Sequence, residues 1–463
     1  MPSSREDAQR EAHYRKMTQT PIPRLVSTLA VPTIVSMLVS SIYNMADTYF
    51  VSQLGTSAAG AVGVVFSLMA MIQAIGFTLG MGAGNLVARR LGAQDSAAAT
   101  EIAASGFWAS ILLGALLAVF GLIFCEPLMR ALGATDTILP YAEAYGNYIL
   151  YAAPVMCASF VMNNLLRGEG KAALAMVGIA TGGVLNIALD PLFIFVFGFG
   201  TAGAAMATAL SQLISFLLML FMFITGKSDV RLSLWKISRR PRIYLQILKV
   251  GFPSFCRQGI ASFATMQLNV AAAVYGDAAV AAMSIVSRVF NFMFSVLLGL
   301  GQGFQPVCGF NYGAGQYGRV RQAMFFTSKL GTVSMIVVGA ACFVLAPEIL
   351  TAFRRDDAAV IALGTLAFRA QCCVLPLFGI STITNMALQC TGQSGKATLL
   401  ALCRQGICFL PLVLFLPPLI GVLGVQLAQP LADLLTFCIT LPFYLRFVRA
   451  LKEKEQASHC LPA

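Results

Sequence analysis

Residues 78–93 read TLGMGAGNLVARRLGA, and residues 299–314 read GLGQGFQPVCGFNYGA. Laid one over the other, their glycines coincide at 80 and 301, at 82 and 303, and at 92 and 313, the last pair followed by alanine in both. The same offset of 221 pairs Pro32 with Pro253, Gly55 with Gly276 and Ala58 with Ala279, with no gap over about sixty residues. Further along, Gly170-Lys171-Ala172 is aligned with Gly395-Lys396-Ala397, and Gly203 with Gly424. The chain reads as one unit written twice. The glycine-rich stretches do not follow strands and do not fit a dinucleotide loop. They lie within or at the end of apolar runs, where small residues let helices approach closely or bend.

The repeat is set in a chain that is 58% hydrophobic and only 11% charged over 463 residues. Soluble domains carry about a quarter charged residues, and no soluble core could hide this much apolar surface, so lipid is the solvent for most of the chain. Twelve apolar runs meet the length needed to span a bilayer, at roughly 25–53, 57–84, 97–124, 139–166, 172–198, 202–225, 243–274, 279–306, 320–345, 357–390, 397–420 and 423–447. The expected fold is an all-α integral membrane protein of twelve transmembrane helices. Six spans (25–225) are followed by six more (243–447) in the same orientation, joined by a linker at 226–242 and flanked by tails at 1–24 and 448–463. Six spans per half is an even number, so the two bundles form a parallel repeat about an axis along the membrane normal, as in transporters whose halves rock about a cleft.

The basic residues give an independent check. With both termini on one side, 25 of the 31 lysines and arginines fall in or beside the gaps of that side. The opposite side holds Arg130, Arg354 and Arg355, while Arg257, Arg288 and Arg369 lie within spans. By the positive-inside rule the tails and the linker are expected to be cytoplasmic, and the expected location is the plasma (inner) membrane. The same distribution accounts for the net charge of +12 without nucleic acid, since no basic stripe interleaved with aromatics occurs.

Several chemistries find no residues. The twelve cysteines lie mostly in apolar runs, without a CxxC, and read as soft apolar filler. Both histidines, His13 and His459, are in the tails, so no metal site and no histidine-based catalytic site is expected at depth, and the chain is not expected to be an enzyme. The stretch Cys390 to Ala397 lacks the first glycine and the hydroxyl residue of a P-loop, so no nucleotide is expected as cofactor and uphill transport would run on an ion gradient.

Acids at membrane depth are costly and mark function. Of nineteen acidic residues only Asp47, Asp190 and Asp433 lie well inside apolar runs. At a rise of 1.5 Å per residue, Asp47, Asp190, Asn186, Tyr145 and Thr208 all fall roughly 9–18 Å below the outer surface. One layer of the first bundle thus collects two carboxylates, a phenol, an amide and a hydroxyl, a set suited to taking up and releasing a proton, or to holding Na⁺. Asp433 has no companion acid. Arg257 and Arg288 are expected to bond backbone carbonyls of bent helices.

Over essentially its whole length the chain resembles the multidrug and toxic compound extrusion (MATE) transporters. The resemblance rests on Asn44-Met-Ala-Asp47-Thr-Tyr-Phe-Val, Leu-Arg-Gly-Glu-Gly170-Lys, Asn186-Ile-Ala-Leu-Asp190-Pro-Leu-Phe-Ile, and Gly301-Gln-Gly-Phe-Gln-Pro306 through Gly309-Phe-Asn-Tyr-Gly313-Ala. It implies a V-shaped pair of six-helix bundles and cation-coupled export. The DinF-like branch binds its coupling ion in the first bundle, at positions that match Asp47, Tyr145, Asn163, Asn186, Asp190 and Thr208, and bends its first helix, which here carries Pro32. The NorM-like branch uses acids in helices 7 and 10, where this chain has Arg257, Gln258, Gln267, Asn269 and Asn385 instead.

Together these readings describe a proton-coupled, or else Na⁺-coupled, antiporter exporting small amphipathic and often cationic compounds, working as a monomer among membrane lipids. Phe290, Asn291, Met293 and Phe294 are the candidate cleft residues. A flippase for lipid-linked precursors shares the two-bundle plan but needs more basic residues facing the cleft. An ion channel would want a ring of one charge sign or a repeated filter. We expect cysteine-labelling reagents to find both tails and the 226–242 segment on the cytoplasmic side; an externally labelled C-tail would overturn the twelve-span arrangement.

Overall fold

The computed structural model describes residues 4–353 and 357–459; Arg354 and Arg355, two of the three arginines assigned to the outer side, lie outside the described residues. A surface helix, Ser4–Gln19, precedes twelve long helical rods. The first six are α1 (Ile22–Ser52), α2 (Thr56–Gly92), α3 (Ser96–Ile123), α4 (Leu139–Gly168), α5 (Ala172–Pro191, continued by a π-turn at Leu192–Val196) and α6 (Gly200–Ile224). The second six are α7 (Pro241–Ala273), α8 (Asp277–Gly313), α9 (Tyr317–Val344), α10 (Ala358–Cys390), α11 (Ser394–Ile420) and α12 (Val422–His459). α10 is interrupted by a 3₁₀ turn at Leu375–Leu377 and α11 by a π-turn at Cys403–Ile407. Short helices, Cys125–Ala131 and Ala346–Phe353, follow the third rod of each half.

Among the described residues, eleven rods are long and apolar enough to cross a membrane. The twelfth, α7, is 33 residues long but carries Arg242, Lys249 and Arg257 along with glutamines, which dilute its apolar character. It packs on α2 as α1 packs on α8, so each bundle lends its second helix to the other's first. With no water in the hydrocarbon region, the backbone satisfies itself within each rod. Buried hydroxyls do likewise: Thr78, Ser211, Thr436 and Thr440 each donate to the carbonyl four residues back.

Of the repeated glycines, those at 82, 92, 303 and 313 sit at the crossings between bundles, whereas Gly80 and Gly301 lie against Asn164 and Met386 of their own bundles. A Cβ on Gly82 of α2 would overlap the Ile247 carbonyl of α7, and one on Gly303 of α8 would overlap the backbone of Ala30 in α1. Nearer the termini, Gly92 lies against the Phe310 carbonyl and Gly313 against that of Arg89, so α2 and α8 meet each other through reciprocal contacts. Polar ties reinforce this end. Thr33 donates to the Gly299 carbonyl at 2.7 Å, Arg89 to the Thr391 carbonyl at 3.3 Å, and Arg167 to the Gln302 side chain. Toward the other face, the last hydrogen bond between bundles among the described residues joins Ser41 and Ser295 at 3.4 Å, near mid-length of α1 and α8. The bundles are joined at the face bearing the termini.

The structure shifts one part of the repeat alignment. Gly170 and Gly392 both take positive φ (80° and 84°) at the end of the fourth rod of their bundles, whereas Gly395 is helical. Asn163 and Asn385 donate to the carbonyls of Ala175 and Ala397, each twelve residues on. The structural partner of Gly170 is therefore Gly392, not Gly395. The Gly-Lys-Ala identity is a coincidence of composition three residues out of register.

The crossings make a direct expectation. Gly82→Val should lower the thermal unfolding midpoint of the detergent-solubilised protein and cost about 1–3 kcal/mol through overpacking against Ile247, whereas Gly395→Ala, with open space at its Cβ, should change it little.

Candidate functional site

Four helices of the first bundle converge where its outer acids lie. Asp47 stands near the end of α1 remote from the termini, and the Tyr145 hydroxyl of α4 donates to its Oδ2 at 3.2 Å. Tyr145 is fully buried, and its hydroxyl also reaches Thr208 of α6. Thr208 accepts a hydrogen bond of 3.1 Å from Asn186 Nδ2, and that same amide donates to Asp190 Oδ1 at 3.1 Å. The five side chains form one chain of polar contacts between the two carboxylates. Asn186 and Asp190 share a face of α5 because four residues make one helical turn. Asp190 is completely buried, and Pro191 leads directly into the π-turn at Leu192–Val196; such turns recur at functional positions.

The network is incomplete as it stands. Asp47 Oδ1, Asp190 Oδ2 and Asn186 Oδ1 are buried with no hydrogen-bond partner. Three oxygens without donors are a place for a proton or a small cation, since an orphaned buried acceptor costs about 1–3 kcal/mol.

Asn163 does not join them. It lies about five turns along α4 from Tyr145, close to the termini, and ties α4 to α5 through the Ala175 carbonyl at 2.9 Å. Its counterpart Asn385 makes the same tie at 2.7 Å in a bundle with no such acid pair. That symmetry marks Asn163 as a helix fastener. Pro32 lies inside α1 without interrupting it; lacking an N–H, it leaves the ladder open at that turn, next to the Thr33 tie to α8.

The family model MatE matches residues 32–192 and 253–415, one segment in each bundle. The chain belongs to the MATE family. It is 27% identical over 413 residues to a multidrug export protein of Staphylococcus saprophyticus, covering 88% of this chain and 90% of that one. Among solved structures it matches the outward-facing conformation of a multidrug resistance MATE family transporter with a TM-score of 0.90 at 27% identity, over 95% of this chain and 98% of that one. A structure described as MATE in the bent conformation matches with a TM-score of 0.89 at 27% identity, over 96% and 99% of the two chains.

In the second bundle of this MATE protein Asp433 has no companion acid among the described residues, but it has three donors. Its Oδ1 accepts from Arg404 Nε at 3.1 Å and from Gln429 at 3.0 Å, and its Oδ2 from Gln371 at 2.7 Å. Arg404, counted from its place in the sequence among the residues bordering a cytoplasmic gap, instead occupies the π-turn inside α11. Its guanidinium lies 4.6 Å from the ring centres of Phe294 and Phe378 and 5.3 Å from that of Phe290. Of the expected cleft residues, Asn291 and Phe294 line a cavity inside the second bundle, Phe290 is mostly buried beside it, and Met293 is packed into the core. Arg257 also lines that cavity rather than bonding a backbone carbonyl, and Arg288 is exposed.

Sequence reading also passed over Glu169. This carboxyl is fully buried just beyond α4, accepting from the Ser228 hydroxyl at 2.6 Å and the Asp229 N–H at 2.8 Å, with Lys171 at 3.5 Å. Burial pushes it up to about 7. His13, 3.7 Å from Asp229, is lowered by its own burial. The group fastens the surface helix, the α4–α5 turn and the linker to one another.

Asn163→Ala should lower stability by about 1 kcal/mol for the lost buried hydrogen bond and leave the pH dependence of transport unchanged. A shifted pH profile with unchanged thermal stability would place Asn163 back in the ion site.

Proposed function

We propose that this chain is a proton-coupled antiporter that exports small amphipathic compounds, with Asp47 and Asp190 as the coupling pair. The observation that carries the reading is the continuous polar path between two carboxylates in an apolar bundle, ending at both acids in oxygens without donors. A proton on either acid turns an orphaned acceptor into a donor and removes a charge that hydrocarbon surroundings penalise. Na⁺ is the second ion the same oxygens suit.

The arrangement also supplies a route from proton to cleft. Asp47 is the only member of the network on α1; the others are on α4, α5 and α6. Gain or loss of the proton therefore changes how α1 is held by its own bundle. About 22 Å along that helix, Pro32 weakens the ladder where α1 crosses α8. With the basic-rich face taken as cytoplasmic, the contacts near the termini close that side and the cleft opens outward, the state in which an external proton displaces the bound compound.

Reconstituted in proteoliposomes, wild-type protein should export cationic dyes under an imposed pH gradient. Asp47→Asn and Asp190→Asn should each reduce pH-driven export to background with unchanged thermal midpoints, because an amide cannot change its charge. Export by Asp47→Asn at the wild-type rate, with the usual pH response, would move the coupling site elsewhere. Dependence on a sodium gradient alone would replace the proton with Na⁺ at the same oxygens.

A further inference from the structure

The second bundle holds a half-open cavity of about 220 Å³ between α7, α8, α10, α11 and α12. The described residues lining it carry three charges, Arg257, Arg404 and Asp433, together with side-chain amides such as Gln258, Asn291 and Asn385. The balance of those charges decides what the cavity can hold.

An organic cation is recognised by a carboxylate and by aromatic faces. Both are already taken. Asp433 is bonded by Arg404 and two glutamines, leaving a carboxylate with three donors and 4% exposure. The rings of Phe290, Phe294 and Phe378 surround the guanidinium of Arg404 itself. The protein supplies its own cation to its own cage. The pair Asp433–Arg404 is then neutral, and the excess charge in the cavity is that of Arg257.

Arg257 has no carboxylate of its own among the described residues. Its one hydrogen bond there is a long one, 3.5 Å from Nη2 to Ser254 Oγ, and that hydroxyl already accepts from Gln389 at 2.9 Å. Arg257 also feels the like charge of Arg404. A guanidinium with five donors, a long bond to a shared hydroxyl and a positive neighbour is a fork without an anion. The amides beside it can donate to the same group, and the edges of the phenylalanines offer an apolar wall.

We propose that this cavity binds an amphipathic monoanion, a flat apolar body bearing one carboxylate, with Arg257 as the charge partner and the Asp433–Arg404 pair as a neutral wall. One net positive charge in the cavity sets the charge of the ligand at minus one. The site is separate from the acid pair of the first bundle, and the two can succeed or fail independently.

The test is equilibrium binding to the purified full-length protein without any gradient, using naphthalene-2-carboxylate, naphthalene-2-carboxamide and naphthyl-2-trimethylammonium as probes. The carboxylate should bind saturably and at least tenfold more tightly than either of the others. Arg257→Gln should abolish that preference, and Ala261→Phe, which fills the cavity from α7 without touching a charge, should abolish binding. Asp47→Asn and Asp190→Asn should leave carboxylate binding within twofold of wild type. Equal affinity for carboxylate and carboxamide, preference for the ammonium, no saturable carboxylate binding, or an undiminished preference in Arg257→Gln would each overturn the proposal. Should Arg257→Gln not fold, the Ala261→Phe result and the three-probe ranking on wild type decide it. Carboxylate binding that persists while pH-driven export is absent would keep this site and remove only the coupling reading.

Discussion

A charged or hydrogen-bonding group surrounded by hydrocarbon has no water to turn to, so what each such group does in this molecule depends on the partner it finds or lacks. Backbone amides find carbonyls within their own helix, and buried hydroxyls such as those of Thr78 and Thr436 find the carbonyl one turn back. What remains is a short list of side chains too polar to be absorbed that way: Asp47, Asp190, Arg167, Arg257, Arg404 and Asp433. Those that are fully paired hold the structure. Those with an unmet valence, the oxygens of Asp47 and Asp190 and the fork of Arg257, are where ions and ligands have a reason to go.

The two bundles solve this problem with opposite signs. The first places two acids in one layer and links them through Tyr145, Thr208 and Asn186. Among the described residues the second has no acid pair; it neutralises its deep acid with Arg404 and leaves Arg257 over. Shared ancestry survives in the scaffold, in the Asn163 and Asn385 ties and in the glycine crossings, while the chemistry at the centre of each half has diverged. A π-turn accompanies each centre, after Pro191 in α5 and around Arg404 in α11. Such turns recur at functional positions.

The crossings themselves must be tight without being welded. Glycine at 82, 92, 303 and 313 lets backbones touch, and contact of this kind is van der Waals packing with few hydrogen bonds. Such an interface can be parted and remade at small cost. The arginine ties, Arg89 to the Thr391 carbonyl and Arg167 to Gln302, join neutral acceptors rather than carboxylates, so opening that face separates no ion pair there.

Much of this was legible in the chain. Twelve rods, two equivalent halves and a first-bundle layer containing Asp47, Tyr145, Asn186, Asp190 and Thr208 follow from run length, repeat offset and helical rise, all of which are local or periodic quantities. Counting along a helix gives depth, and depth alone brought those five side chains to one level. Direction around the helix and contact across the cleft are not local. Met293 and Phe294 are adjacent in sequence, yet one is core and the other faces a cavity. Asn163 has the residue type of a site member but sits turns away from it. Arg404 was counted beside a loop, yet it reaches Asp433, on another rod 29 positions later, and only the packing of α11 against α12 makes them a pair. The sequence by itself determined the solvent, the number of spans and the layer in which the first bundle's acids lie, because hydrophobicity and helical rise act residue by residue. Tertiary structure alone decided which charges cancel and which are left over, because cancellation needs two side chains on different helices to reach within a few ångströms of one another.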